Sequence, residues 1–293
     1  MRSLDFVLVG PGAMGISLAW ALRQAGHRCV GVQGREVRAL ARACARLKTT
    51  SLRPGAKTPT FNLLLLTVPD DTIPSVCRQW ARSGIEWKGR FVLHISGALT
   101  SEILDPLRRR GARCGSFHPL TSLPRPNFHA HLFRGVTFGL EGDPACTALC
   151  GRLIRQLGGR ALKLSRDSKA AYHLAACLSS GYLLAYLALA SEQFEHVAGM
   201  RPGRARSGFL RLAEITLGNA GRSGVPRSLT GPLLRGDTGT LRLHGEVLRR
   251  MPEIYRGIYR LLAEKERELA ERGGRLRGEA ARRVRRYLSG EIG

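Results

Sequence analysis

The chain has 293 residues, 43% of them hydrophobic and 6% aromatic, which excludes a disordered protein and leaves room for two domains of ordinary size. Its seven cysteines form no CxxC pair, so we expect neither a disulfide framework nor a metal site. The formal net charge of +25 invites a nucleic-acid interpretation, but the 47 basic residues are spread along the whole chain. We therefore rank nucleic acid last among the candidate partners.

The beginning of the chain carries no long apolar stretch, so we expect neither a signal peptide nor a transit peptide. The longest apolar segment, residues 175–190, is interrupted by Ser179, Ser180 and Gly181. We expect it to be too short to span a membrane. The sequence therefore favours a soluble, cytoplasmic protein.

Short apolar runs alternate with helical patterns over the first half of the chain. The predicted strands are residues 6–9, 29–32, 62–68, 91–95, 113–117, 136–140 and 161–164. The predicted helices between them are residues 16–25, 36–47, 72–83, 101–109 and 145–157. Near-continuous apolar strands separated by helices are typical of a parallel sheet covered on both faces.

From residue 167 onward the strand-like runs stop, and long helices are predicted instead. They cover residues 168–199, 204–222, 238–248 and 252–288. Breaks between them coincide with glycine and proline clusters, which end helices. The pattern predicts two domains, an α/β domain at residues 1–166 and an all-helical domain at residues 167–293.

A glycine-rich turn, Gly-Pro-Gly-Ala-Met-Gly at residues 10–15, connects the first predicted strand to the first predicted helix. In a dinucleotide-binding turn the first glycine allows a tight turn, the second lets the backbone approach a pyrophosphate, and the third permits close helix packing. A glycine-rich surface loop is the alternative in a chain with 35 glycines. The setting favours a Rossmann-like, doubly wound, mostly parallel sheet, with the cofactor bound by Gly10, Gly12, Ala13, Met14 and Gly15.

The end of the second predicted strand bears on which cofactor is bound. An acidic residue there would bind the ribose hydroxyls of NAD, whereas an arginine would accommodate the 2′-phosphate of NADP. The strand end has no carboxylate, and Arg35 follows it. A solvated Arg35 is the alternative, and Glu36 could weaken the preference. We predict NADP.

Two further turns follow predicted strands at the edge where ligands bind in open α/β sheets. The third strand leads into Val68 and Pro69, and the fourth leads into Ser96 and Gly97. Each turn alone is only a loop. Taken with the glycine-rich turn, the four residues are predicted to contact the cofactor.

Four side chains are candidates for proton transfer or substrate binding. His118 follows the fifth predicted strand on the same edge, although a capping or core histidine is equally consistent with the pattern. Lys169, His173 and Ser180 are spaced four and eleven residues apart, which places them on nearly one face of a continuous helix. Lysine would need a lowered pKa to act as an acid at neutral pH, and histidine little adjustment. A surface Lys169 and a packed His173 are the alternative.

A glycine-proline loop at residues 228–237 offers a hydroxyl, a cation and an anion in Thr230, Arg235 and Asp237. Arginine binds carboxylates bidentately, so the loop is a candidate site for an anionic substrate. An Arg235–Asp237 ion pair that only braces the loop fits the spacing equally well.

Six segments together resemble a family that joins an NADP-binding Rossmann-like domain to a C-terminal helical domain of unknown function. They lie at residues 10–15, 66–71, 94–98, 117–120, 169–176 and 229–237. That family is similar to pyrroline-5-carboxylate reductase, 6-phosphogluconate dehydrogenase and ketopantoate reductase. The resemblance implies hydride transfer with NADP(H) and a homodimer formed through the helical domain, but it does not supply a substrate. Our own hypothesis is that the protein reduces a small, anionic carbonyl or imine compound.

The chain departs from the resemblance at one position. Relatives usually have serine followed by asparagine on the first helix of the second domain, where this chain has Ser180 and Gly181. The change removes a side-chain donor and an acceptor. Either Ser180 takes over the substrate contact, or the substrate differs, or the protein binds NADP as a regulatory or sensing protein without turnover.

Overall fold

The computed structural model describes residues 3–53 and 58–290. Within these ranges seven strands form one sheet. They are β1 (Asp5–Val9), β2 (Arg28–Gln33), β3 (Leu63–Leu66), β4 (Phe91–His94), β5 (Arg113–Pro119), β6 (Thr137–Gly142) and β7 (Arg160–Lys163). The strand order is β2-β1-β3-β4-β5-β6-β7, with β6 antiparallel to β5 and all other neighbours parallel. The predicted α/β fold with a mostly parallel sheet is confirmed.

The central strands are apolar on both faces. In β1, Phe6 and Leu8 pack into one buried cluster, whereas Val7 and Val9 pack into another. The four leucines of β3 divide between the two clusters in the same alternating way. Since successive side chains of a strand point to opposite faces, the two clusters are the two sides of the sheet.

In the described part of the first 166 residues, five α-helices accompany the sheet. They are α1 (Ala13–Gln24), α2 (Val37–Leu47), α3 (Ile73–Ala81), α4 (Asp105–Arg108) and α5 (Pro144–Gln156). The helix predicted over residues 101–109 is instead a short 3₁₀ turn, Ser101–Leu104, followed by the single turn α4. A proline at position 106, which donates no backbone hydrogen bond, lies at this transition.

From residue 169 onward, the regular secondary structure of the described residues is entirely helical. The helices are α6 (Lys169–Leu178), α7 (Gly181–Val197), α8 (Arg206–Ser223), α9 (Val225–Ser228), α10 (Pro232–Arg235), α11 (Thr238–Leu248), α12 (Glu253–Arg272) and α13 (Gly278–Gly290). The helix predicted over residues 168–199 is interrupted at Ser179 and Ser180, and the one over 252–288 is interrupted after Arg272. Gly274, with φ +68°, occupies that second break in a conformation that favours glycine.

The chain divides into two compact units, the first ending at Leu184 and the second beginning at Ala185. The first unit thus extends past the predicted domain boundary at residue 166 and includes α6. Lys169, the first residue of α6, is fully buried and hydrogen-bonded to Ser116 of β5 and to Ser96 in the turn after β4. The second unit has its own core, which includes Leu233, Leu241 and Val284.

One helical stretch among the described residues, Lys169–Val197, is long and apolar enough by length and composition to cross a membrane. Its most apolar window has a mean hydropathy of 1.6, and 6% of that window is buried. The expectation that this part of the chain is too short to span a membrane is therefore wrong. The helical stretch extends beyond the apolar segment of residues 175–190 at both ends. The stretch starts at the buried Lys169 and contains the break between α6 and α7.

Candidate functional site

The glycine-rich turn has the geometry that its sequence predicts. Gly10 has φ +92°, and a Cβ there would lie 2.7 Å from Val68 Cγ1. A Cβ at Gly15 would overlap Thr67 Oγ1, so the third glycine lets α1 approach the end of β3. Thr67 Oγ1 donates to the carbonyl of Gly10 at 2.5 Å, which fastens the turn to that strand end.

Gly12 differs from the other two glycines because the space beside it is open. It is the N-cap residue of α1, is solvent-exposed, and a Cβ there would meet no atom within 4 Å. No side chain caps this helix, and its first turn contains no acidic residue. The first backbone N–H groups of α1, including those of Ala13 and Met14, have no partner within the helix. Such amides, together with the helix dipole, suit a phosphate group.

The polar residues at the end of β2 and directly after it make different contacts. Glu36 caps α2, because its carboxylate accepts hydrogen bonds from the amides of Arg38 and Ala39. Gln33 at the strand end accepts from the indole N–H of Trp80 at 2.8 Å. Arg35 is exposed to solvent. Glu36 therefore acts as a helix cap. This structural role accounts for the carboxylate beside Arg35 without a contact to the ribose of NAD.

The turn after β4 is held by one serine. Ser96 Oγ donates to the Asp70 carboxylate at 2.6 Å and accepts from the amides of Ala98 and Leu99. Asp70 belongs to the short 3₁₀ turn that follows Pro69. The turns after β3 and β4, predicted separately to contact the cofactor, are thus joined by a hydrogen bond.

Lys169 lies beneath the second of these turns. Its Nζ donates to the Ser96 carbonyl at 2.9 Å and to Ser116 Oγ at 2.6 Å, and the residue is fully buried. Burial lowers the pKa of the ammonium group to about 8, against the opposing effect of the Glu141 and Asp70 carboxylates. The lysine is thus a buried cation at neutral pH with a proton that is easier to lose than usual.

His118 lies at the end of β5, and its Nδ1 and the hydroxyl of Tyr172 form a hydrogen bond of 2.9 Å. Burial, with smaller contributions from the Lys169 charge and from His173, lowers its pKa to about 4. The imidazole is neutral at physiological pH. Its Nε2 would lie 2.9 Å from a Cβ at Gly97.

His173 faces the same glycine from α6. Its Nδ1 would lie 2.5 Å from a Cβ at Gly97, and the His118 and His173 rings are perpendicular with centroids 6.0 Å apart. Nδ1 of His173 is buried and has no hydrogen-bond partner among the described residues, whereas Nε2 lies 3.6 Å from Cys177 Sγ. Because a buried polar atom without a partner is costly, this nitrogen is a candidate contact for a bound molecule.

Of the four predicted substrate residues, Ser180 belongs to the first unit, and Thr230, Arg235 and Asp237 belong to the second. Ser180 is exposed beyond the end of α6 and donates to the Ala176 carbonyl, so the single helix face predicted for it with Lys169 and His173 ends before it. Asp237 caps α11 through Thr240, and Arg235 is exposed at the end of α10. Thr230 lines a cavity in the second unit. Their roles in substrate binding stay predictions.

Three residues that the sequence did not indicate as site residues complete the cluster in the first unit. Ser116 is a buried strand residue, Tyr172 is the partner of His118, and Asp70 is the partner of Ser96. Tyr172 could have been found from its position between Lys169 and His173. Ser116 carries no distinguishing signal, since a serine inside a strand looks like any small residue of a sheet.

Two family models match the chain in succession. A Rossmann-like domain matches residues 2–119, and the model described as a domain of unknown function, DUF2520, matches residues 136–266. Among proteins with curated descriptions, none matches the sequence.

Solved structures with the same fold include a candidate NADP oxidoreductase from Bacteroides fragilis and a protein from Thermotoga maritima. The first is 19% identical with a TM-score of 0.72, the second 23% identical with a TM-score of 0.70, and each match covers 91% of this chain and 98% of the other. A pyrroline-5-carboxylate reductase from Coxiella burnetii is 15% identical, with a TM-score of 0.59 and coverage of 97% and 98%. The predicted resemblance is confirmed: a Rossmann-like model matches the first part of the chain, and the DUF2520 model matches a later part that begins with β6, α5 and β7 and continues into the helices.

Proposed function

We propose that the protein is an NADP-dependent oxidoreductase that transfers a hydride between NADP(H) and a small, anionic carbonyl or imine substrate. The observation that carries the proposal is the convergence of His118 Nε2 and His173 Nδ1 on Gly97. This glycine follows β4 at the carboxyl edge of a sheet whose glycine-rich turn has the features of a dinucleotide site. Proteins of the same fold carry oxidoreductase names, which agrees with the proposal.

The residues of the turn fit a dinucleotide. The open space at Gly12 and the uncapped amides of Ala13 and Met14 would hold the pyrophosphate, with Gly10 and Gly15 setting the turn. Val68, Pro69, Ser96 and Gly97 would line the rest of the cofactor site. Arg35 would pair with the 2′-phosphate that distinguishes NADP from NAD. When bound, the nicotinamide supplies or accepts the hydride.

Proton transfer is assigned to the cluster around Gly97. In the reducing direction, the oxygen or nitrogen of the substrate gains the electron pair of its double bond and takes up one proton. His173 Nδ1 is the ring nitrogen without a protein partner among the described residues. We therefore assign to it the donation of this proton to the substrate. His118, oriented by Tyr172, would hydrogen-bond to the substrate. Lys169 would hold the turn through Ser96 and provide the nearby positive charge.

The anionic character of the substrate rests on charge. The chain carries a net charge of +25, which attracts small anions to its surface. Arg235 is exposed, and a guanidinium can bind a carboxylate with two hydrogen bonds. We propose that Thr230 and Arg235 contribute to substrate binding, with Asp237 holding their loop by capping α11. Ser180 would add a hydroxyl contact.

The proposal includes a homodimer formed through the helical part of the chain. No residue of α8 is buried, although it carries Leu212, Ile215 and Leu217 with exposed fractions of 60%, 47% and 54%. Leu212 and Ile215, three residues apart, share one face of the helix. Exposed apolar patches mark interaction surfaces. Light scattering is expected to give the dimer mass for the wild type and the monomer mass for Leu212→Glu. A monomeric wild type would contradict this part of the proposal.

A regulatory protein that binds NADP without turnover is the second candidate, and Gly181 is the observation that favours it. The glycine offers no side-chain donor or acceptor at the start of α7. Tight NADPH binding without oxidation of NADPH by any keto acid, aldehyde or imine would support this candidate over the enzyme.

The cofactor assignment is tested by titrating NADPH and NADH into the wild type, Arg35→Ala and Arg42→Ala, with nicotinamide fluorescence as the signal. Arg42 is a matched control because it is also exposed and lies on α2. The wild type and Arg42→Ala are expected to prefer NADPH. Arg35→Ala should lose about tenfold or more in affinity for NADPH and little for NADH. Equal affinities for both cofactors in all three proteins would contradict the assignment to NADP.

A further inference from the structure

The second unit contains a cavity of about 560 Å³ that lies between α7, α11 and α12. This volume is in the range of pockets that enclose small organic molecules. Its walls are mainly apolar and aromatic, including Tyr186, Phe194, Phe209 and Tyr255. Phe194 and Phe209 form an edge-to-face pair with ring centroids 5.4 Å apart.

Three ionisable side chains, His244, Tyr259 and Glu266, also line this cavity. The hydroxyl of Tyr259 and Nδ1 of His244 are hydrogen-bonded at 3.1 Å. Burial, followed by the charges of Tyr287 and Glu266, raises the pKa of the Tyr259 hydroxyl to about 12. Tyr259 therefore stays a neutral phenol, and Glu266 is close enough to act on it electrostatically.

Glu266 stands apart from the other acidic residues of α12. Glu253, Glu264, Glu268 and Glu271 each form ion pairs with arginine or lysine side chains. Glu266 has no hydrogen bond or ion pair with any other described residue. Burial alone raises the pKa of its carboxyl group. Its oxygens are not among the buried polar atoms without a partner, so solvent or a ligand in the cavity can reach the carboxylate. The charge of Glu266 is thus not neutralised by an ion pair within the described residues.

We propose that this cavity is a binding site for an organic ammonium ion with an aromatic or aliphatic body, whose charge pairs with the Glu266 carboxylate. An ammonium group can be held both by a carboxylate and by the faces of aromatic rings, and the cavity provides both. The apolar walls would enclose the rest of the ligand. Thr230, which we assign above to the anionic substrate, also lines this cavity. The ligand proposed here is a cation held by Glu266, and its binding does not depend on the oxidoreductase function.

Because the net charge of the chain is strongly positive, the Glu266 carboxylate determines which ligands the cavity binds. A net charge of +25 repels cations from the surface at large, so a cation would be retained only where a local negative charge is left unpaired. A neutral ligand of the same shape would gain only the apolar contacts. A carboxylate ligand would be repelled by Glu266. The site therefore predicts a strict order of affinity: ammonium, then neutral, then anionic.

The experiment measures binding by isothermal titration calorimetry with the full-length protein. The probes are 1-naphthylmethylamine, its neutral analogue 1-naphthalenemethanol and 1-naphthoate. The proteins are the wild type, Glu266→Gln, which keeps the shape of the side chain, and Glu264→Gln as the matched control. Glu264 lies on the same helix but pairs with Arg267 at 2.8 Å and does not line the cavity.

The amine is expected to bind the wild type and Glu264→Gln with similar affinity, and Glu266→Gln about tenfold or more weakly. The alcohol should bind the wild type and Glu266→Gln alike. Absence of amine binding to the wild type, or equal amine affinity in Glu266→Gln, would overturn the proposal. One further outcome would also overturn the proposal: a dimeric wild type that binds no amine and becomes a monomer on Val247→Glu. A second copy of the chain would then occupy the cavity.

A pH series on the wild type keeps the test valid should Glu266→Gln fail to fold. Because burial raises the pKa of Glu266, its carboxylate takes up a proton at a higher pH than an exposed glutamate. Amine affinity should fall as the pH is lowered through this range, while alcohol affinity stays constant. Amine affinity that is independent of pH in this range would overturn the proposal.

Discussion

Lys169 Nζ donates a 2.6 Å hydrogen bond to Ser116 Oγ, so the first residue of α6 is fastened to the middle of β5. The same ammonium group binds the Ser96 carbonyl at the end of β4. One buried cation thus joins the turn after β4, the middle of β5 and the helix that carries His173. The positions of the two histidines around Gly97 depend on it.

Replacement of Lys169 by methionine removes the charge but preserves most of the apolar stem. The Ser96 carbonyl and the Ser116 hydroxyl then lose a buried donor, and we expect a loss of about 1–3 kcal/mol in the free energy of unfolding. The Lys169 charge also contributes to the low pKa of His118, so that pKa should rise, while burial keeps it below its usual value. Urea unfolding and NMR titration of the histidine rings measure the two effects. An unchanged His118 pKa would contradict the electrostatic link.

Stability is expected to fall in mild acid because of His94. This histidine is fully buried, its Nδ1 accepts from the Ser96 amide, and burial lowers its pKa to about 3. The unfolded chain takes up a proton near pH 6.5 and the folded chain does not, so stability falls as the pH drops from 6.5 towards 3. The expected loss between pH 7 and pH 5 is about 2 kcal/mol.

Urea unfolding at the two pH values measures this loss, with His129→Asn as the control because His129 lies in the loop between β5 and β6. His129→Asn should keep the pH dependence of the wild type, whereas His94→Gln should reduce it. The idea that a buried neutral His94 causes the acid sensitivity fails if His94→Gln keeps the full pH dependence.

Gly12→Ala separates cofactor binding from folding. A Cβ at this position meets no protein atom, so the melting temperature should be unchanged. If a pyrophosphate approaches the backbone there, the added methyl group should weaken NADPH binding by about tenfold or more. Gly221→Ala is the matched control, because a Cβ there also meets open space. Equal NADPH affinities in both variants would place the phosphates elsewhere.

Gly181→Asn tests whether the missing amide limits turnover. The glycine is exposed and a Cβ there meets no atom within 4 Å, so the substitution should leave the fold intact. If relatives use this amide to hold the substrate, the variant should show a lower KM or a higher kcat than the wild type. Steady-state kinetics with one substrate measure both. A rise in KM with unchanged kcat would mean that asparagine obstructs the pocket of this protein.

Much of the fold could be predicted because the relevant signals are local. The alternation of apolar strands with helices specified a mostly parallel sheet, and the glycine-rich turn marked its ligand edge. The sequence did not show that α6 belongs to the first compact unit. Lys169 of α6 is hydrogen-bonded to Ser96 and Ser116, which are distant in the sequence. The antiparallel direction of β6 was missed for the same reason, because strand direction depends on tertiary pairing.

The site was predicted less completely than the fold. Arg35, His118, Lys169 and His173 were singled out by position, and the last three form one cluster in the structure. Ser180 was grouped with them on the assumption of an unbroken helix, and the break after Leu178 removes the basis for that grouping. Hydrogen-bond partners such as Asp70 and Ser116 come from distant strands, which helical periodicity does not connect.

Hydride transfer itself is tested most directly by following the absorbance of NADPH with wild type and His173→Phe across a panel of keto acids, aldehydes and cyclic imines. The wild type is expected to oxidise NADPH with at least one anionic member of the panel. His173→Phe should bind NADPH as the wild type does and lose most of this turnover. NADPH binding by the wild type without oxidation by any member, or full turnover by His173→Phe, would contradict the account.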